Sequence, residues 1–341
     1  MNDRFLKACR REPVDCTPVW FMRQAGRYMQ EYQAVRKKHS ILEVCKTPEL
    51  AAQVTLQPID RFPLDAAIIF ADILLPLEPM GVPFSFEEGE GPVIHKPVRD
   101  RAAIERLRVT DADELLFVCD AIKQARRALA GRAPLIGFAG APFTLASYAI
   151  EGGSSRNYVL TKQLMYQEPK SWHLLMDKLA RMVTGYLRRQ IHAGAQAIQV
   201  FDSWVGCLSP NDYEEYVLPH MQVIFEGLMR EGVPMIHFGT GTGALLGHQR
   251  KAGGDVIGLD WRVQLDEAWD RVGHDVAVQG NLDPVVLFGP HQEIERRVED
   301  ILRRAGGRPG HIFNLGHGIL PNTPIEAVAA AIDMVHKRSQ R

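Results

Sequence analysis

Residues 18–29 read PVWFMRQAGRYM. The apolar run 19–22 follows Pro18 and stops abruptly at Arg23, Gln24, Ala25, Gly26 and Arg27. A short β-prone run bounded by proline reads as a buried strand, which puts the polar cluster at the strand's carboxyl end. Gly26 permits a tight turn there. Arg23 and Arg27 can then both reach into the cavity which that end faces. Guanidinium forks pair with carboxylates in a planar, bidentate way that lysine does not match. Two of them on one turn point to an anionic ligand with more than one carboxylate or phosphate. The plainer alternative is a pair of surface arginines beside a helix start.

The same apolar-then-polar pattern recurs along the chain. Further runs are 66–70 (AAIIF), 134–138 (PLIGF), 197–201 (AIQVF), 235–238 (MIHF), 256–259 (VIGL), 276–279 (VAVQ) and 311–315 (HIFNL). Between them, 112–130, 161–192, 211–231, 264–272, 290–305 and 323–338 carry amphipathic helix patterns. Strand and helix alternating throughout implies parallel strands with helical crossovers. With the first run included, eight such units predict an α/β fold, a single (β/α)8 TIM barrel over residues 1–341. An open doubly wound sheet is the alternative. Thr323-Pro324-Ile325-Glu326 reads as a capping box with proline at the first helical position, and Ser209-Pro210 as a helix start. Gly152-Gly153-Ser154-Ser155 ends the segment after Tyr148. Residues 76–100, rich in proline and glycine, read as an inserted hairpin between the second strand and its helix.

Composition bounds the function. The chain has 341 residues, 46% of them hydrophobic, with a formal net charge of −1. That is ample for one large domain. No basic stripe favours nucleic acid or a membrane surface, so attraction for an anion has to come from a local pocket. The five cysteines are scattered and form no CxxC pair, the pattern of a reducing compartment. The N-terminus lacks an apolar signal region, and no apolar stretch approaches the ~20 residues that span a bilayer. A cytoplasmic protein is expected, with no membrane or nucleic-acid partner.

The residues just after each strand carry the chemistry. In a barrel these positions converge on one face, where barrel active sites lie. Asp72 sits between IIFA and ILLPLEP; a carboxylate among apolar residues needs a partner. It is either an acceptor facing donors or a developing cation, or a structural turn cap. Tyr148, in GAPFTLASYAIEGG (140–153), falls on a short helix opened by Pro142, where a tyrosine is more often core than catalytic. Ser203 follows Asp202 without the GxSxG elbow of a nucleophile, so it reads as a binding hydroxyl. His317 lies between two glycines in NLGHGI, which let a ligand approach the backbone closely; the alternative is a satisfied structural histidine. HFGTGTGALL (237–246) lacks both phosphate-loop and dinucleotide patterns and reads more simply as a tight turn before a helix. No HExxH, HxH or Cys-rich spacing marks a metal site, and no cofactor lysine motif stands out, so no metal and no cofactor are expected.

Taken together, PVWFMRQAGRY (18–28), RFPLDAAIIFADIL (61–74), GAPFTLASYAIEGG (140–153), FDSW (201–204) and NLGHGILPNTP (314–324) closely resemble the uroporphyrinogen decarboxylase family of haem biosynthesis. The resemblance covers nearly the whole chain. It implies a single-domain (β/α)8 barrel, commonly a homodimer, that converts the four acetate side chains of uroporphyrinogen III to the methyl groups of coproporphyrinogen III. By resemblance, Arg23 and Arg27 hold substrate carboxylates and Gln24, Ala25 and Gly26 line the site. Asp72 accepts hydrogen bonds from the pyrrole NH groups, Tyr148 supports Asp72 and the reacting side chain, and Ser203 and His317 contact peripheral carboxylates. Asp72, Arg23 and Tyr148 form the catalytic set. Two rivals remain. A corrinoid-linked methyltransferase of the same superfamily uses an HxC pair for zinc; here the position reads His237-Phe238-Gly239, without the cysteine. A non-catalytic tetrapyrrole-binding module would bind without releasing carbon dioxide.

Overall fold

The computed structural model describes residues 2–87, 91–109 and 113–341. Residues 88–90 of the expected hairpin and residue 112, the expected start of a helix, lie outside the described residues.

Among the described residues the main sheet has seven parallel strands in the order β1 (Ala67–Ile68), β4 (Leu135–Gly140), β5 (Ala197–Asp202), β6 (Met235–Gly239), β7 (Val256–Gly258), β8 (Ala277–Gln279) and β9 (His311–Ile312). A separate antiparallel pair, β2 (Phe84–Glu87) with β3 (Gly91–Ile94), is the inserted hairpin. Neighbouring strands of the main sheet are joined by helices, the α/β alternation read from the sequence. The sheet is strongly curled. Gln279 of β8 donates to Gln199 of β5 at 3.0 Å, although three inter-strand steps would separate them by ~14 Å in a flat sheet. Trp20 extends this buried chain, its indole N–H donating to Gln279 at 3.0 Å.

The run 19–22 departs from expectation. It forms one parallel bridge, Val19 with Phe313, rather than a strand. The backbone is still tied on two sides. The Phe313 N–H donates to Pro18 O at 2.8 Å, and the Asp65 N–H donates to Val19 O at 2.9 Å. What stops a regular ladder is that side chains take the N–H groups it would use. Asp65 Oδ2 accepts from the Val19 N–H at 2.8 Å, Gln24 Oε1 from Phe21 at 3.1 Å, and Asn314 Oδ1 from Met22 at 3.2 Å.

Local signals explain the other differences. The helix expected over 161–192 is two helices, Val159–Gln167 and Pro169–Ala193. Pro169 pushes Glu168 out of helical geometry, at φ −132° and ψ 61°. The segment 211–231 likewise divides at Val217. The capping box at Thr323 does not form: Pro324 is itself extended, the helix runs Ile325–Arg338, and the Thr323 hydroxyl donates to Leu320 O at 2.9 Å. Ser209 does cap its helix, accepting from the Asp212 N–H at 3.1 Å. No described helix is long and apolar enough to cross a membrane.

Candidate active site

A cavity of about 270 Å³ opens at the carboxyl ends of the strands. Its floor is aromatic: Phe138, Phe201 and Phe238 stand near the carboxyl ends of β4, β5 and β6, with ring centroids 5.4 and 5.8 Å apart. The sequence reading passed over them. The signal was present, since four of the apolar runs, 66–70, 134–138, 197–201 and 235–238, end in phenylalanine, and Phe70 lines the cavity as well.

Arg23, Gln24, Ala25, Asp72, Tyr148, Ser203 and His317 all line this cavity. Gly26 and Arg27 are not among the lining residues, and Arg27 is exposed. The turn is also built differently from the expectation. Arg23, not Gly26, takes the left-handed conformation, at φ 58°, which a non-glycine residue adopts only under constraint. Gln24 supplies that constraint. It is buried, its side chain bridges the Phe21 N–H to Ala66 O (3.1 Å each), and its carbonyl accepts from Tyr28 at 2.8 Å.

Asp72 follows the extended stretch after β1, where Thr55 Oγ1 accepts from the Phe70 N–H at 2.9 Å. Asp72 Oδ1 caps the turn, accepting from Leu74 N–H at 2.8 Å. Asp72 therefore both caps the turn and lines the cavity. Burial among Ile69, Phe70 and Leu74 pushes its carboxyl up; the Leu74 N–H and the Arg23 cation pull it back. Tyr148 stands on the helix Pro142–Glu151, edge-on to Trp204 at 5.8 Å. Its phenol is raised by burial and by the nearby Asp72 charge. The same helix is pinned by Thr144, whose hydroxyl donates to buried Asp202 at 3.0 Å and accepts from Trp204 N–H at 3.3 Å.

His317 is held neutral. Burial, then the Arg23 and Arg262 cations, lower its pKa to about 4. Its flanking glycines serve packing more than ligand approach. A Cβ on Gly318 would lie 2.5 Å from Arg23 Cδ, and one on Gly316 2.9 Å from the Asp260 carbonyl carbon. The glycine-rich stretch 237–246 is a turn into the helix Leu246–Ala252, with the Gly241 N–H donating to Asp260 at 2.6 Å. None of its residues except Phe238 lines the cavity. His237, the position of the rival zinc ligand, is buried against Phe225 with ring centroids 5.2 Å apart and lies outside the cavity lining.

The sequence profile described as "Uroporphyrinogen decarboxylase (URO-D)" matches residues 1–338. The uroporphyrinogen decarboxylase of Sorangium cellulosum is 64% identical over 337 residues, covering 98% of this chain and 96% of the relative. That of Carboxydothermus hydrogenoformans is 59% identical over 340 residues, covering 99% and 97%. The chain belongs to the uroporphyrinogen decarboxylase family. It is thereby an enzyme of the decarboxylase class in porphyrin biosynthesis. Among solved structures, a methyltransferase from Methanosarcina mazei superposes with a TM-score of 0.82 at 21% identity, over 99% of this chain and 98% of that one. A putative vitamin-B12 independent methionine synthase from Listeria monocytogenes gives 0.58 at 11%, over 96% and 98%. At such identities the likeness speaks for the fold alone.

Proposed function

We propose that this enzyme removes carbon dioxide from the four acetate side chains of uroporphyrinogen III to give coproporphyrinogen III, without a cofactor. The observation that carries the reading is a carboxylate, Asp72, on the wall of an aromatic-floored cavity that also holds Arg23. Losing carbon dioxide from an acetate leaves a carbanion that needs an electron sink, and the pyrrole provides one. A proton adds to the ring α-carbon beside the carbon that bears the acetate, giving a cationic, iminium-like ring conjugated to the acetate-bearing carbon. The carboxylate carbon–carbon bond breaks and its electron pair flows into that ring, leaving an exocyclic methylene. A second proton converts the methylene to methyl, and loss of the first-added proton from the ring carbon restores the pyrrole.

Asp72 accepts from the pyrrole NH groups and offers fixed negative charge to the cationic intermediate, in a site where such charge acts strongly. Arg23 from the cavity wall, and Arg27 from the exposed side of the same turn, orient carboxylates; Gln24, Ala25 and Gly26 fix that turn. Tyr148 supports Asp72 and the reacting side chain, and Ser203 and His317 meet peripheral carboxylates. A guanidinium is a poor acid, so Arg23 serves first as a clamp and at most relays a proton. The bridge at Val19 and the hydrogen bonds on either side of it support a closed (β/α)8 barrel, and a family match over 1–338 supports one domain. We read the working form as a cytoplasmic homodimer, which light scattering at assay concentration tests.

The decisive experiment is anaerobic incubation with uroporphyrinogen, wild type beside Asp72→Asn. We expect four equivalents of carbon dioxide from the wild type and a kcat lower by about 10²–10³ in the variant. In the wild type, kcat/KM falls as pH drops through the Asp72 pKa, above the ordinary carboxylate range because of burial; the variant lacks that limb. A variant as fast as wild type sinks the role of Asp72. Binding without carbon dioxide release sinks the activity and leaves a tetrapyrrole-binding module.

A further inference from the structure

The strap 316–318 separates two arginines. On one side the stem of Arg23 lies across Gly318, where a Cβ would be 2.5 Å from Cδ and 2.7 Å from Cγ. On the other, the turn at Asp260 and Trp261 packs on Gly316, where a Cβ would be 2.9 Å from the Asp260 carbonyl carbon. His317, which lines the cavity, stands between them. The next residue of that turn is Arg262.

Arg262 is held in place from three directions. Its Nη1 donates to Asp260 Oδ2, and its own backbone N–H to Asp260 Oδ1 at 3.0 Å. Its guanidinium lies over the Trp261 ring, 4.0 Å from the centroid. Asp260 cannot swing away, because its side chain is 1% exposed and Oδ2 also accepts from the Gly241 N–H at 2.6 Å. Yet the Arg262 side chain is 53% exposed. One edge of a five-donor fork is anchored, the rest of the side chain is open to solvent, and its charge is felt at His317 although Arg262 is not itself among the residues lining the cavity. A side chain so fixed has little rotamer freedom left to lose on binding.

We infer that Arg262 belongs to the substrate site as a specificity-determining residue, its free fork edge taking a peripheral carboxylate of the macrocycle beside His317. Arg23, His317 and Arg262 then form a row of carboxylate-binding groups along the cavity rim. Its electrostatic reach agrees with that row: the Arg262 cation, like that of Arg23, helps keep His317 neutral. This rests on the function proposed above.

The test compares wild type, R262Q and R262K at several uroporphyrinogen concentrations. R308Q serves as the control: Arg308 also lies over a tryptophan, Trp269 at 5.9 Å, but precedes β9 at the opposite end of the strands. We expect KM to rise on the order of tenfold in R262Q, with kcat within about twofold, and R262K to fall between, since it keeps charge but loses the fork. The R308Q KM stays at the wild-type value. An unchanged KM in R262Q overturns the inference, and so does a fall in kcat alone. Binding of uroporphyrin, the oxidised macrocycle with the same carboxylates, is followed by quenching of tryptophan fluorescence and does not depend on turnover. If the wild type releases no carbon dioxide, this arm still decides. Weaker binding by R262Q than by R308Q upholds the role of Arg262, and equal binding refutes it.

Discussion

At the scale of single residues, the proposed Arg23 clamp depends on an absent side chain. Arg23 sits at φ 58° and lays its stem over Gly318, with three of its carbons within 3.1 Å of where a Cβ would stand. Gly318→Ala therefore displaces the arginine without touching its charge. We expect KM for uroporphyrinogen to rise roughly tenfold, the scale of one charge-assisted hydrogen bond. Arg23→Lys and Gly318→Ala act on one contact, so the double variant falls well short of the product of the single effects. Full multiplicativity in steady-state kinetics contradicts this. The glycines around His317 are visible in the sequence, but their purpose is not: the pattern suggests room for a ligand, and in the fold they make room for neighbouring chain. Asp72 was legible because a lone carboxylate in an apolar stretch has few explanations.

Among the elements, the weakest-looking segment is the best anchored. The run 19–22 is not a strand, yet Asp65 holds it. One carboxylate accepts from the Val19 N–H at 2.8 Å, Asn2 at 3.0 Å and Arg4 at 2.6 Å, and pairs with His336 at 2.7 Å. It thus joins the N-terminus, the segment before β1 and the last helix. Burial alone would push the Asp65 carboxyl up; His336, Asn2 and the Val19 N–H hold it below its ordinary value. Its side chain is 1% exposed, and breaking such a pair from one side costs about 3–5 kcal/mol. Asp65→Asn keeps the shape and loses the charge. We expect the lower end of that range in urea unfolding, with kcat little changed while the protein stays folded. A loss under ~1 kcal/mol contradicts the anchoring role. The sequence offered Asp65 only as a letter in a motif, since its partners come from positions 2, 4, 19 and 336.

For the molecule as a whole, buried histidines set the acid limit. Burial lowers His220, His237, His311 and His317 each to about 4, against about 6.5 in an unfolded chain. The unfolded state takes up these protons first. Stability is therefore complete above pH ~6.5 and drains as pH falls toward 4, by up to about 3 kcal/mol per histidine. Asp202, raised to about 7 by burial, and Asp72, also raised by burial, run the other way: each favours the folded state as pH falls. Two groups against four leave the sign intact. A drop of this size rivals the whole stability of an ordinary domain, about 5–15 kcal/mol. Urea midpoints should hold between pH 7 and 8 and decline steadily below 6.5. A midpoint constant down to pH 5 contradicts this.

The sequence by itself determined the alternation of strands and helices, the gathering of the candidate site residues at the strand ends, and the family. Each of these is written in local periodicity or in short contiguous motifs. The tertiary structure decided that the run 19–22 is tied by side chains, that Arg23 rather than Gly26 carries the strained turn, and that the turn before Arg262 packs on the strap that carries His317. Those outcomes depend on which side chains take which backbone donors across tens to hundreds of residues. No local pattern encodes such a competition, because it is settled only when the distant segments meet.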